Sequence, residues 1–150
     1  MPGLYFEDFS VGQRLTSVGR TITESDIMLF AGLTGDYNQL HTDAEFARTT
    51  QFGQRIAHGL LGLSIAVGLL MRTGVLEGTA LAFREIIEWK FIKPVFIGDT
   101  LHVEMEAKEL KAIPRLGAGL AQVALEVKNQ NQETVMRGTL AVLVASKPQP

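Results

Sequence analysis

Two hydrophobic periodicities divide the chain near residue 80. On the C-terminal side apolar residues recur at every second position. Phe83, Ile87, Trp89 and Phe91 share one face of a segment beginning at Leu81, and Leu101, Val103 and Met105 share one face of the next. Side chains alternate across an extended strand, so this spacing predicts strands with one buried face. Two more are expected at about Leu120 to Lys128 and Thr134 to Val144, separated by the polar turn Asn129-Gln130-Asn131-Gln132. Glu85 interrupts the apolar face of its strand, which predicts a bulge or an exposed strand end. Ile113 to Gly119, with its Pro and Gly residues, reads as a loop between strands.

The N-terminal half follows a different rule. After the turn signal Val11-Gly12, the β-branched and polar run Arg14 to Ile22 predicts a first strand. Thr23 then precedes Glu24, Ser25 and Asp26, an N-cap with acids in the first turn, and Ile27, Phe30 and Ala31 recur at helical spacing. That helix is expected to run to about Leu33 and to stop at Gly35. Asp36 to Thr42 reads as a loop, and Asp43 to Arg48 as one or two helical turns. Gly59 to Arg72 is apolar on every side, as expected of a helix buried all round.

Consecutive strands with short connections imply an antiparallel sheet, and a wholly apolar helix needs something curved to wrap it. The reading is therefore α+β: five strands curled around one long central helix. At 150 residues, residues 1–150 are expected to form a single domain with one core. The apolar stretch at Gly59 to Met71 is shorter than the roughly 17 to 25 residues that span a bilayer, so no membrane association is expected.

Charge and composition remove several classes of function. A net charge of −2 with scattered Lys and Arg leaves no electrostatic footprint for nucleic acid. The chain contains no cysteine, so thiolate nucleophiles and zinc-thiolate sites are excluded. The opening MPGLYFEDFSVG carries acids and no basic segment ahead of an apolar one, so it does not read as a secretory signal, and a cytoplasmic location is expected. No GxGxxG or GxxxxGK[ST] sequence is present, so no nucleotide cofactor is implied, and the histidines show no persuasive metal-ligand spacing.

Chemistry concentrates between the short helices, in Gly32 to Ala47 (GLTGDYNQLHTDAEFA). Residues five apart on a regular helix lie about 140° apart around its axis. Asp36 and His41 converge only if the backbone turns between them, which Gly35 and its polar neighbours permit. A converged carboxylate and imidazole can hold a water, take its proton, and return a proton to a carbon two atoms away. That is what adding water across a conjugated double bond requires. The plainer alternative makes Asp36 a turn residue and His41 a surface or cap residue. A second feature is Ala57-His58-Gly59 at the entrance of the apolar helix. Glycine there lets a ligand reach the unpaired N–H groups of the helix start, where a thioester carbonyl would be stabilised as it becomes an enolate. Alternatively, Gly59 serves tight packing and His58 a cap.

Together the motifs carry a family resemblance. Gly35-Asp36-Tyr37-Asn38-Gln39-Leu40-His41, then Ala57-His58-Gly59-Leu60, then Lys93-Pro94-Val95-Phe96-Ile97-Gly98-Asp99-Thr100, resemble in order the MaoC-like dehydratase and (R)-specific enoyl-CoA hydratase family. The resemblance implies a hotdog fold with a helical segment overhanging a substrate tunnel, assembled as a homodimer. It implies that Asp36 and His41 activate water, that the Gly59 N–H receives the thioester carbonyl, and that Asn38 and His58 help to form the substrate site. It implies an acyl-CoA thioester as partner and an (R)-3-hydroxyacyl product. Gln39 stands where the family usually has proline, and Ser64 is the sole hydroxyl in the central helix.

Three rivals are weighed, and the first is disfavoured. An acyl-carrier-protein dehydratase would place an acid on the central helix, and Gly59 to Gly74 has none. A hotdog thioesterase would direct the Asp36 water to the carbonyl carbon. A non-catalytic acyl-CoA-binding module would keep the fold without turnover. His102 is expected on the solvent face of its strand. Arg48, Arg55, Arg84, Lys90, Lys93 and Arg115 are candidate phosphate contacts.

Overall fold

The computed structural model describes residues 3–149; Met1, Pro2 and Pro150 lie outside the described residues. Six strands and four α-helices follow the expected order. They are β1 (Arg14–Thr16), β2 (Arg20–Thr21), α1 (Glu24–Thr34), α2 (Gln39–Thr42), α3 (Ala44–Arg48), α4 (Gly59–Arg72), β3 (Ala80–Phe91), β4 (Thr100–Ile113), β5 (Ala118–Lys128) and β6 (Thr134–Ala145). All pairings are antiparallel, in the order β1-β4-β5-β6-β3, with β2 also on β4.

The period-two pattern accounts for β4 to β6. Leu101, Val103 and Met105 of β4, Val123, Leu125 and Val127 of β5, and Leu140 and Val142 of β6 turn inward onto one hydrophobic core. Leu61, Ala66, Leu69 and Leu70 of α4 meet them there. Each fully buried aliphatic side chain of this kind contributes roughly 1.5–3 kcal/mol. The hairpin at 129–132 closes as expected, because Asn129 Oδ1 accepts from the Asn131 and Glu133 N–H groups at 2.9 and 3.1 Å.

Several expectations are corrected. The first strand is broken in two: Ser17 Oγ accepts the Val103 N–H at 2.9 Å, so a side chain replaces a ladder acceptor between β1 and β2. The loop at 36–42 contains a helical turn, α2, because Asn38 Oδ1 caps the Leu40 N–H at 3.0 Å. The stretch 113–119 is paired at its ends, Ala112 with Gly119 and Ile113 with Ala118, so the connection narrows to the 3-10 turn Pro114–Leu116 and its cap Gly117.

The central helix is not buried all round. Leu60, Ser64, Gly68 and Arg72, spaced four apart, form an exposed stripe, with Leu60 62% exposed. Nor does β3 keep one apolar face along its length. Its register shifts three times, once between Phe83 and Glu85, where the bulge was expected, and again between Ile87 and Lys90, where Glu88 has φ 54°. Each extra residue exchanges the faces that follow it. Phe83 and Phe91 are consequently about half exposed on an edge strand.

Candidate active site

The site lies where the α1–α3 segment meets the start of α4. Thr23 and Asp26 form a capping box that starts α1, and Gly35, with φ 79°, ends it in a left-handed turn that reverses the chain. The next residues are stitched by local bonds. Asp36 Oδ1 accepts the Asn38 N–H at 3.2 Å, and the Thr42 hydroxyl donates to the carbonyls of Tyr37 and Asn38 at 3.0 and 3.1 Å. Asn38 thus shapes the loop as N-cap of α2, and α2 turns His41 back toward Asp36.

The connection from β3 to β4 supplies the other wall. Ala57 N–H donates to the Val95 carbonyl at 2.8 Å, and Ile56 bridges Phe96. Phe96 N–H is held by Asp99 at 2.9 Å, and Gly98 takes φ 95°. These contacts set the residues immediately before α4, so that Ile56 and His58 reach the helical segment.

Asp36, His41 and His58 come together, each offering a ligand-type atom within 4.8 Å of the others. Asp36 is exposed, His41 is half-buried, and His58 is 2% exposed. His41 Nδ1 lies 2.7 Å from the Ile56 carbonyl, which accepts only, so Nδ1 carries the proton and Nε2 presents a lone pair. His58 Nε2 lies 2.9 Å from the Asp36 carbonyl, so it donates there and its Nδ1 is bare; that nitrogen is buried without a partner. The two imidazoles stack, with centroids 3.9 Å apart and planes at 29°, and Phe30 packs on His58 at 4.8 Å.

Spacing in the chain gave no sign of this cluster as a set of ligands. A zinc ion would need nitrogens converging at about 2.0–2.1 Å, in the planes of their rings. The cluster offers one carboxylate and two imidazoles, groups that can also hold and exchange protons with a bound oxygen.

A cavity of about 310 Å³ opens beside the cluster, lined by His41, His58, Gly59, Phe52, Phe91 and Met136 among others. Glycine leaves room for neighbouring side chains at two of its positions. A Cβ on Gly59 would come within 3.0 Å of the Phe91 ring, and one on Gly62 within 2.8 Å of the Met136 methyl. Gly59 is the first residue of α4, whose leading N–H groups have no intrahelical acceptor and favour negative charge. A larger depression of about 720 Å³ on the outer sheet face contains no histidine and is lined by salt-bridged Glu104, Glu106 and Lys108.

Sequence reasoning missed the wall made by Phe52, Phe91 and Met136, and the Ile56 carbonyl that fixes the His41 tautomer. Small residues in α4 hinted at the first; a backbone acceptor leaves no mark on a sequence. Of the candidate phosphate contacts, Arg48, Arg55 and Lys93 are in ion pairs with Glu45, Glu24 and Glu133. His102 lies beside Glu104 on the outer sheet face.

An antiparallel sheet over one long helix defines a hotdog domain, here with an Asp/His cluster at the helix start. A Mycobacterium tuberculosis structure described as a double hotdog fold superimposes at TM-score 0.87 over 99% of this chain and 46% of its own, with 22% identity, a likeness of fold alone. The MaoC like domain model matches residues 8–129, and the chain belongs to that family. An (R)-specific enoyl-CoA hydratase from Rhodospirillum rubrum is 42% identical over 97 residues, 65% of each chain. A 3-hydroxybutyryl-CoA dehydratase from Methylorubrum extorquens is 38% identical over 108 residues, 71% of this chain and 66% of that one. The matched span is thus just under two-thirds of these relatives. An Archaeoglobus structure described as a monoamine oxidase regulatory protein has TM-score 0.91 and 38% identity, covering 99% of this chain and 98% of its own. No helix of the described residues is long and apolar enough to cross a membrane.

Proposed function

We propose that residues 1–150 act as one hotdog domain that adds water across a trans-2-enoyl-CoA, giving the (R)-3-hydroxyacyl thioester, or runs the reverse dehydration. The observation that carries this reading is the cluster of Asp36, His41 and His58, each bringing a ligand-type atom within 4.8 Å of the others, with the His41 Nε2 left bare beside the N-terminus of α4. A water donating to the Asp36 carboxylate and the His41 Nε2 is held above C3 of a substrate lying in the adjoining cavity. Its oxygen bonds to C3 as the dyad takes one proton. The C2–C3 π electrons move toward the thioester carbonyl, where the Gly59 N–H receives the developing enolate charge. The dyad returns that proton to C2, so one water is added and no other reagent is needed. Asn38 shapes the loop and His58 lines the cavity.

A homodimer is part of the proposal. The terminal strand β3 presents Leu81, Phe83, Ile86 and Phe91 in exposed positions, a sheet edge of the kind that proteins cover. A cytoplasmic location follows the sequence expectation.

The test mixes the protein with crotonyl-CoA and a longer trans-2-enoyl-CoA, follows the conjugated absorbance, and resolves the product on a chiral phase. Loss of absorbance with the thioester intact and an R product is expected. Release of free thiol would assign a thioesterase, and binding without loss of absorbance a non-catalytic module.

A further inference from the structure

We propose that His58 is the positioning residue of the site, setting Asp36 and His41 relative to Gly59 through one side chain. The inference rests on the hydratase reading for its kinetic consequences and on local geometry for the rest. His58 is the N-cap residue of α4, next to Gly59. Its Nε2–H bonds the backbone carbonyl of Asp36, tying the catalytic loop to the helix start across 22 residues of chain. Its ring lies against His41 on one side and Phe30 on the other, limiting how far His41 can tilt. Carboxylate, imidazole and carbonyl-binding N–H are therefore referred to one rigid point.

The orphaned Nδ1 separates this role from ordinary packing. Burying a nitrogen without a partner is unfavourable, and an apolar ring of similar shape avoids that cost. Packing alone would favour phenylalanine at this position. What histidine adds is the Nε2–H bond to Asp36, so stability is traded for placement of the loop. His58 does not need to exchange a proton with substrate for this role.

His58→Phe and His58→Gln divide the contributions. Phenylalanine keeps a stacking ring and lacks the donor; glutamine brings back a donor of comparable reach and lacks the ring. His58→Phe is expected to melt at or above the wild-type temperature while kcat falls about 10- to 100-fold with KM little changed, as for a misplaced catalytic group. His58→Gln is expected to recover a large part of that loss. Amide hydrogen exchange at residues 36–38, read by NMR without substrate, is expected to speed up in His58→Phe and to be partly restored in His58→Gln. Wild-type kcat in His58→Phe overturns the inference, as does a raised KM at unchanged kcat, which would make His58 a substrate contact. If the wild-type protein hydrates no 2-enoyl thioester, the hydratase reading falls. The exchange readout then decides the positioning role alone, and unchanged exchange in His58→Phe overturns it.

Discussion

The strands β4 to β6 and the segment from Gly35 to Gly59 are held by different forces. In the strands, paired backbones and an inward row of Leu and Val repeat the same instruction at every second residue. In the segment, α2 and α3 have 4 and 5 residues, too few to be stable helices alone. Their geometry depends on individual bonds such as Asn38 to Leu40, Asp43 to Phe46 and His58 to Asp36. The sheet is redundant and tolerates a local loss in geometry while losing stability. The segment is specified bond by bond, and a local loss there changes what the site can do.

Removing bulk from the sheet gives the largest expected change in stability. Leu140 is fully buried on β6 between Ile86 and Val123. Leu140→Ala is expected to lower unfolding free energy by about 2–5 kcal/mol, measured by urea denaturation, while the folded fraction keeps its turnover. Equal proportional losses of turnover and stability would show that the two regions are not separable.

A smaller effect of opposite sign is expected in the segment. Gln39 is the first residue of α2, where the N–H lacks an intrahelical acceptor, and Asn38 before it is extended at ψ 134°. Gln39→Pro is expected to stabilise by about 0.4–1 kcal/mol in thermal melts and to leave kcat nearly unchanged. Destabilisation would mean that the loop uses a backbone shape proline cannot adopt.

The smallest effect concerns acid. Arg55 grips Glu24 with bonds of 2.9 and 2.5 Å, joining α1 to the residues before α4, and its guanidinium holds the Glu24 carboxyl below its ordinary 4.5. A lowered folded value means stability fully present above pH 4.5 and lost as pH falls through the folded value. Glu24→Gln is expected to flatten part of the acid-side loss of melting temperature. Glu24 is largely exposed, so the difference is expected to shrink in high salt.

These contrasts also mark what was legible in the sequence. The strands at Leu101, Val103 and Met105 and at 120–144 declared themselves by alternation, and α1 by Thr23 and Gly35, because each signal is local and repeated. The breaks in β1–β2 and β3 were harder, since a side chain substituting for a ladder bond, as Ser17 does, has no periodic signature. In the site, the motif order pointed to Asp36, His41, His58 and Gly59. The stack of His41 on His58 and the carbonyls of Ile56 and Asp36 that fix both tautomers came only with the fold, because backbone acceptors look alike at every residue. The exposed stripe on α4 escapes a sequence reading because composition reports how apolar a helix is, not how far the sheet reaches around it.

The most direct measurement is hydration of crotonyl-CoA by Asp36→Asn, with thermal melting on the same preparation. Asparagine is close in size and suits a turn as well as aspartate does, yet it cannot take a proton from water at neutral pH. The account predicts an unchanged melting temperature, a KM close to wild type, and kcat lower by about 100- to 10,000-fold, the range for losing a positioned base. Near-wild-type turnover in a stable Asp36→Asn protein would contradict it.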